Sequence, residues 1–341
     1  MKKQSDENFK SLVTGDPEEM FEYLQTTPVS ERLTNPFTPE MLKLLKKSNP
    51  FRQTYYYIEE NGKYAFFIVY DSRMNIMTLG KKEWMMNVKT IGFPCSFSNS
   101  GYITNDLEFL LTYCRKLKGG KLILNVENPV KMKGMGFGET LPTCVLYLKP
   151  EHTSLENYLN SLRSPYRRRI RLALKRCSDM KTEHRESAQE DAGLYALYLN
   201  TYNKSEYKLE CLTEEFFERC EGHRIVFYKD DKPVGFVLLH KDKEKLSFLF
   251  CGMEYGKFEQ ITNADLYFYM LLHIVEYAIN EGCKVIDFGQ TSELTKLKFG
   301  AEPEKRYFYA QHTNPFLNLF AILGKGLLEY KYDFPDFKVF R

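Results

Sequence analysis

The chain has 341 residues, with 48 Lys and Arg against 45 Asp and Glu and a formal net charge of +3. That balance excludes a global electrostatic pull toward nucleic acid or membrane, so any such attraction has to be local. At about 150 residues per domain, the length fits two domains, each able to bury its own core.

Aromatic residues make up 15% of the chain, which favours strand-rich cores and pockets with stacking faces. The eight cysteines (Cys95, Cys114, Cys144, Cys177, Cys211, Cys220, Cys251, Cys283) include no C-x-x-C pair. They read as reduced thiols of a cytoplasmic protein, not as a disulfide frame or a zinc site. The first ten residues, MKKQSDENFK, lack an apolar signal-type region. The apolar stretch from Pro315 to Leu328 is interrupted by Asn318, Gly324 and Lys325, too short to span a bilayer. No integral membrane association is expected.

Elements are predicted in chain order from about Thr54. Thr54–Glu59 and Tyr64–Tyr70 are aromatic, β-branched runs around Asn61-Gly62, a strong hairpin signal. A polar break at Asp71-Ser-Arg73 leads to a third short strand near Asn75–Leu79. An amphipathic run from Asp106 to Leu117 precedes the strand Gly120–Val126, then Phe137-Gly138 and a strand at Thr143–Leu148. Thr153-Ser-Leu-Glu156 fits a capping box opening a helix that ends near Arg163. Ser164-Pro165 then reads as an N-cap with proline in the first turn of a helix through Arg176. Tyr166, Ile170 and Leu174 form its apolar stripe, and Arg167, Arg168, Arg169, Arg171, Lys175 and Arg176 its basic face. A further helix starts at Thr213.

The second half repeats the first. Strands at His223–Tyr228, Val234–His240 and Leu246–Met253 precede a helix from Asp265 to Ile279, a strand Gly282–Phe288, Phe299-Gly300 and a strand Arg306–Ala310. Gly282 and Phe299 lie 162 positions beyond Gly120 and Phe137. A period that long excludes a solenoid and implies two copies of one α/β unit. Hairpins followed by helix and strand point to mixed sheets with helices packed on them. The expected halves are 1–149 and 150–341. The run Phe316–Leu323 is helical and strongly apolar; core packing is its default, with docking on a membrane or a carrier protein as the sharper alternative.

The segments Leu155–Arg163, Tyr166–Ala173, Leu246–Met253, Asn263–Glu281, Val285–Gly289 and Lys296–Ala301, in that order, resemble the FemAB-like branch of the GNAT acyltransferase superfamily, including BioF2-like acyltransferases. The resemblance covers about Thr54 to Ala310. It implies an α/β (α+β) fold of two tandem GNAT-like domains that moves an acyl or aminoacyl group onto an amine. The implied donors are acyl-CoA, an acyl carrier protein thioester or aminoacyl-tRNA as co-substrate, with no tightly bound cofactor. A degenerate, non-catalytic pair that binds an acidic metabolite or protein is the third reading.

Two features depart from the family pattern. The stretch Glu254–Ala264 holds a single glycine, Gly256, where GNAT enzymes carry a glycine-rich pyrophosphate loop. Fem enzymes carry a Phe-Lys pair before the Phe-Gly segment; here Thr295 precedes Lys296.

Acyl transfer needs donors aimed at a nascent oxyanion. By family position Lys296 takes that role, assisted by backbone amides near Gly252 and Met253, where a bulge would splay the strand. The plain alternative for Lys296 is a solvated loop lysine. Its counterpart by the 162-residue offset is Gly134. Gln290, Thr291 and Ser292 follow the strand Lys284–Phe288 at its C-terminal end, where α/β sheets place ligands; they are expected to contact substrate or to cap the turn. Tyr166, Arg167 and Arg168 are expected to orient the acceptor, and Phe250, Tyr255 and Asn263 complete the substrate-binding set. Cys251 reads as a buried structural thiol. The histidines show no metal-ligand spacing, so no metal is expected.

Overall fold

The computed structural model describes all residues except 1, 7, 8, 35, 76–84, 96, 187–192, 206–209, 257, 259 and 260. They form two compact units, Met1–Leu141 with Lys305–Tyr332, and Pro142–Glu304 with Asp333–Arg341.

In the first unit, β1 (Lys2–Asp6) and β2 (Phe9–Thr14) precede two short helices, α1 (Pro17–Leu24) and α2 (Pro39–Ser48). Each helix carries proline in its first turn and a side-chain cap, Asp16 on Glu18 N–H and Thr38 on Met41 N–H. β3 (Gln53–Glu60) and β4 (Lys63–Asn75) form the expected hairpin, with Asn61 and Gly62 at φ 50° and 77°. β4 does not break at Asp71-Ser-Arg73. It stays paired with β5 (Met85–Ile91), where Lys89 meets Asp71 at 3.0 Å and the Ser72 and Thr90 hydroxyls share a hydrogen bond. The third strand expected near Asn75–Leu79 lies, beyond Asn75, outside the described residues. β6 (Tyr102–Thr104), α3 (Leu107–Cys114), β7 (Gly120–Val126) and β8 (Gly136–Tyr147) follow.

The second unit adds α4 (Leu155–Ser161), α5 (Ser164–Arg176), β9 (Lys181–Arg185), α6 (Leu194–Lys204) and α7 (Glu214–Arg219). The expected caps shift by one residue. Ser154 caps α4 by accepting from Asn157 N–H, while Arg163 holds the N-cap position of α5 without a side-chain bond. Then come β10 (His223–Lys229), β11 (Lys232–Asp242), β12 (Lys245–Met253), α8 (Asn263–Asn280), β13 (Val285–Asp287) and the five-residue α9 (Glu293–Leu297). β14 (Glu302–His312) and α10 (Pro315–Leu323) follow, the latter running into a short 3-10 turn at Gly324–Leu327.

Both units use one pattern. A run of antiparallel strands meets a single parallel junction, β5 with β7 in the first unit and β12 with β13 in the second. An antiparallel strand then follows, and it comes from the other half of the sequence. β14 pairs with β7 through Tyr307–His312, whereas β8 pairs with β13 through Val145–Tyr147. The sheet orders are β1-β2-β3-β4-β5-β7-β14 and β8-β13-β12-β11-β10-β9, with β6 on β4. The duplicated Phe-Gly segments are not equivalent. Phe137 lies within β8, but Phe299 sits in the turn after α9, which has no counterpart in the first half.

The core of the second unit positions the site. α8 buries Leu266, Met270, Leu271, Ile274 and Val275 against sheet residues Ile225, Val237, Leu239, Leu246 and Ile286. α5 packs on α8 through Ile170 and Ala173. The apolar C-terminal run does not take its default: Phe316 is 68% exposed and Leu323 73%.

Candidate active site

The two parallel neighbours β12 and β13 are in register only over Lys245–Val285, Leu246–Ile286 and Ser247–Asp287. β13 ends there, while β12 continues six residues to Met253. Phe248, Leu249, Phe250 and Cys251 are consequently half-exposed on an interior strand, where full burial is the norm. The register slips at Leu249, the residue skipped between the pairs Leu238–Phe250 and Leu239–Phe248. The bulge expected at Gly252 is therefore three residues earlier.

The chain leaves β13 through a loop with unusual backbone. Gly289, Thr291 and Ser292 stand at φ 71°, 62° and 53°. For Thr and Ser these left-handed values cost about 1 kcal/mol or more each, and they persist where surrounding contacts over-determine them. Lys296 is one such contact. It is 2% exposed, and its Nζ donates to the carbonyl oxygens of Gly289 (3.1 Å) and Gln290 (2.7 Å). The solvated-lysine alternative is thereby removed. Burial pulls the Lys296 pKa down, while Cys144, Cys251, Glu293 and Asp287 act in the opposite direction. Gly289 is tied further, its carbonyl accepting from Cys144 N–H and its N–H donating to Asp287 Oδ1. Asp287 itself bonds Thr143 Oγ1 and pairs with Lys245 at 3.0 Å.

Tyr267 on α8, which sequence reasoning did not select, joins this group. Ser292 lies near enough to its hydroxyl to lower the pKa, while burial, the larger effect, raises it well above the usual value. It remains a neutral O–H donor across the physiological range. Cys251 is held at about 11 and Cys144 at about 12, both by burial, so neither thiol supplies a thiolate near neutrality. Tyr255 lies beside Cys251 as well, its ring covered by Lys204 Nζ at 4.2 Å. Lys296, Gln290, Ser292, Tyr267 and Cys251 thus converge at the C-terminal end of β13. Tyr267 gave no motif signal because its partner Ser292 lies 25 positions away.

Other expected residues lie in different surroundings. Gly252 has no room for a side chain. A Cβ there would sit 2.5 Å from the Leu197 carbonyl carbon and from Phe236 Cε1, and nearer still to Tyr198 N. Its glycine lets α6 lie directly on β12. Met253 N–H donates to Thr201 Oγ1 at 3.2 Å, so this amide is already committed. Phe250 packs edge-on against Tyr198, Phe216 and Phe217 of α6 and α7. Asn263 is exposed and accepts from Gly256 N–H.

Much of the basic face of α5 is engaged by partners within the same unit. Arg169 and Arg176 each approach Asp265 at 2.8 Å, whose side chain is wholly buried, and Arg169 also lies 4.1 Å from the Phe268 ring. Arg171 pairs with Glu156 at 2.8 Å, and Arg167 donates to the carbonyls of Asn160 and Leu162. Tyr166 packs edge-on against Phe337. Arg168, Arg171, Lys175 and Arg176 are exposed, so Arg171 and Arg176 make their pairs from the surface of the helix. Asp265 is at once the N3 residue of a capping box with Thr262 at the start of α8. Burial opposes its charge, but bonds from Thr262 and Arg176 and the proximity of Arg169 hold its carboxyl below the ordinary range. The N-terminus of α8 thus carries its own carboxylate. Among the described residues, no group of three His, Cys, Asp or Glu side chains could hold a metal ion.

This arrangement is that of a tandem GNAT fold. Residues 161–306 match the family model described as acetyltransferase (GNAT) domain. A tandem GNAT protein from the clavulanic acid biosynthesis pathway is similar over 90% of this chain and 99% of its own, with a TM-score of 0.53 at 9% identity. L-PGS from Bacillus licheniformis is similar over 93% and 98%, with a TM-score of 0.53 at 11% identity. At such identities the likeness is one of fold. No curated protein sequence matches the chain.

Proposed function

We propose that the chain is an N-acyltransferase that moves an acyl or aminoacyl group from a thioester donor, acyl-CoA or an acyl carrier protein, onto an amine. The observation that carries this reading is the convergence of Lys296, Tyr267 and Ser292 where β12 and β13 part, inside the segment that matches the GNAT domain. The neutral amine attacks the thioester carbon; a C–N bond forms and the carbonyl oxygen becomes an oxyanion. Collapse breaks the C–S bond, the thiolate leaves, and the proton released by the attacking nitrogen passes to the sulfur, so that amide and thiol are the products.

Two of the three Lys296 N–H bonds hold loop carbonyls, which leaves the third for the oxyanion. Tyr267, kept protonated by burial, is suited to relay that proton, its hydroxyl accepting from the nitrogen side as it donates to the leaving sulfur. No thiolate nucleophile is needed, in keeping with the raised Cys251 and Cys144.

A second reading, transfer from aminoacyl-tRNA, draws on one specific observation. The capping box and arginine pair at the start of α8 place a carboxylate where CoA would need its pyrophosphate bound. A donor panel separates the two. Acyl-CoA, acyl carrier thioester and charged tRNA are each incubated with a mixture of primary amines, and new amides are read by mass spectrometry. Amide from either thioester supports the first reading. Amide only from charged tRNA supports the second. Saturable binding of an acidic metabolite with no amide from any donor would make the pair a non-catalytic binding protein.

A further inference from the structure

Among the described residues, more than half of the exposed large hydrophobic side chains fall between Phe316 and Leu327. The reason is local. α10 is pinned through one face, where Asn318 accepts from His312 N–H (2.9 Å) and donates to Gly134 O (3.0 Å). Ala321 on that face packs toward Leu122, Phe308 and Ala310, close enough that Gly136 has no space for a Cβ. At 100° per residue, Phe316, Leu319, Phe320 and Leu323 share an arc of roughly 100° opposite the pinned face. They are 68%, 51%, 60% and 73% exposed, and Leu327 follows at 46%. A surface helix ordinarily carries charges on such an arc. Here Pro315–Leu323 contains no Asp, Glu, Lys or Arg.

The charge lies around this ridge instead. Lys118 is exposed beside Gly119, whose backbone bonds Thr313 just before α10. Lys131 and Lys133 are exposed on the loop that ends at Gly134, the residue held by Asn318. Lys325 is exposed one residue after the helix's C-cap.

We propose that α10 is an interfacial anchor that inserts Phe316, Leu319, Phe320 and Leu323 into an anionic lipid surface, with Lys118, Lys131, Lys133 and Lys325 facing the headgroups. A bilayer fits both observations together. A projecting ridge of large apolar side chains needs a deformable apolar phase, and a lysine rim needs negative charge around it. The association is peripheral, since no helix among the described residues is long and apolar enough to cross a membrane.

Vesicle flotation tests this without substrate, so its outcome is independent of the catalytic reading. The probes are vesicles of phosphatidylcholine alone and of phosphatidylcholine with about one-third phosphatidylglycerol. The wild-type chain floats with the anionic vesicles, and binding falls as salt rises. Phe316→Ser with Phe320→Ser lowers the partition coefficient at least about tenfold. Lys131→Glu with Lys133→Glu lowers it on anionic vesicles only. Because all four side chains are exposed or on exposed loops, thermal melts unchanged from wild type verify the fold of both variants. The proposal is overturned if wild type stays unbound on anionic vesicles, or if the double serine variant binds as well as wild type. It is overturned equally if light scattering shows a lipid-free dimer, or a complex with an acidic carrier protein, that the serine variant abolishes while vesicle binding is absent.

Discussion

Lys296 Nζ lies 2.7 Å from the carbonyl oxygen of Gln290, so the residue expected to stabilise the oxyanion also fixes the loop expected to meet the substrate. One side chain holds the exit of β13 in its left-handed conformation and brings N–H donors beneath it. The arrangement couples backbone shape to chemistry within six residues of chain.

Tyr267→Phe separates the hydroxyl from its ring. The ring packs in the α8 core and the substitution keeps it, so the melting temperature should change little. The proton donor is lost, and kcat should fall about 10²-fold with KM nearly unchanged. Steady-state kinetics on the thioester donor checks this; an unchanged kcat removes Tyr267 from the reaction.

Gly252→Ala tests the alternative role found for that glycine. The new methyl group would meet the backbone of α6 at Leu197 and Tyr198, so stability should drop by about 1–3 kcal/mol in chemical denaturation. A variant as stable as wild type would show that α6 can give way there.

Asp265→Ala removes a helix cap and the common partner of Arg169 and Arg176 in one step. Breaking a buried pair while its cations remain costs more than the pair contributes, and about 3 kcal/mol of stability should be lost. If stability is unaffected, the arginines are not held by this carboxylate, and the α5 basic face becomes available for anions.

Acid sensitivity follows from His223. It is 7% exposed, stacks on Tyr277 at 3.9 Å, and its Nδ1 and Nε2 lie 2.9 Å from Glu186 and from His184 Nδ1. Burial lowers its pKa below 6.5, while Glu186 and Glu281 oppose this and Arg224 reinforces it. A depressed histidine binds fewer protons folded than unfolded, so its contribution is complete above pH 6.5. It is lost as pH falls from there through the lowered folded value. Denaturation midpoints measured across that window should decline for wild type, and the decline should be shallower in His223→Gln.

Much of the fold was legible because its signals are local. Asn61-Gly62 fixes one hairpin, and runs of apolar, β-branched and aromatic residues mark β10 to β12. Fold class followed from the order of those elements. What escaped depends on contacts distant in sequence. Strands β1 and β2 and helices α1 and α2 lie in an N-terminal stretch where no local pattern reveals that β2 pairs with β3. The exchange of β8 and β14 follows from partners more than 130 residues apart. Of the candidate site, Lys296 and the 290–292 loop were selected from position alone. Tyr267 was invisible because only the fold brings α8 over Ser292. Conversely, Arg169 and Arg176 read only as part of a basic face, because their partner Asp265 is some 90 residues on.

The most direct test is Lys296→Met, with turnover and thermal unfolding measured on the same preparation. Methionine fills most of the lysine's volume and removes a buried charge, so the fold should persist while transfer falls about 10²–10³-fold. Transfer at the wild-type rate from a folded Lys296→Met enzyme would contradict the account.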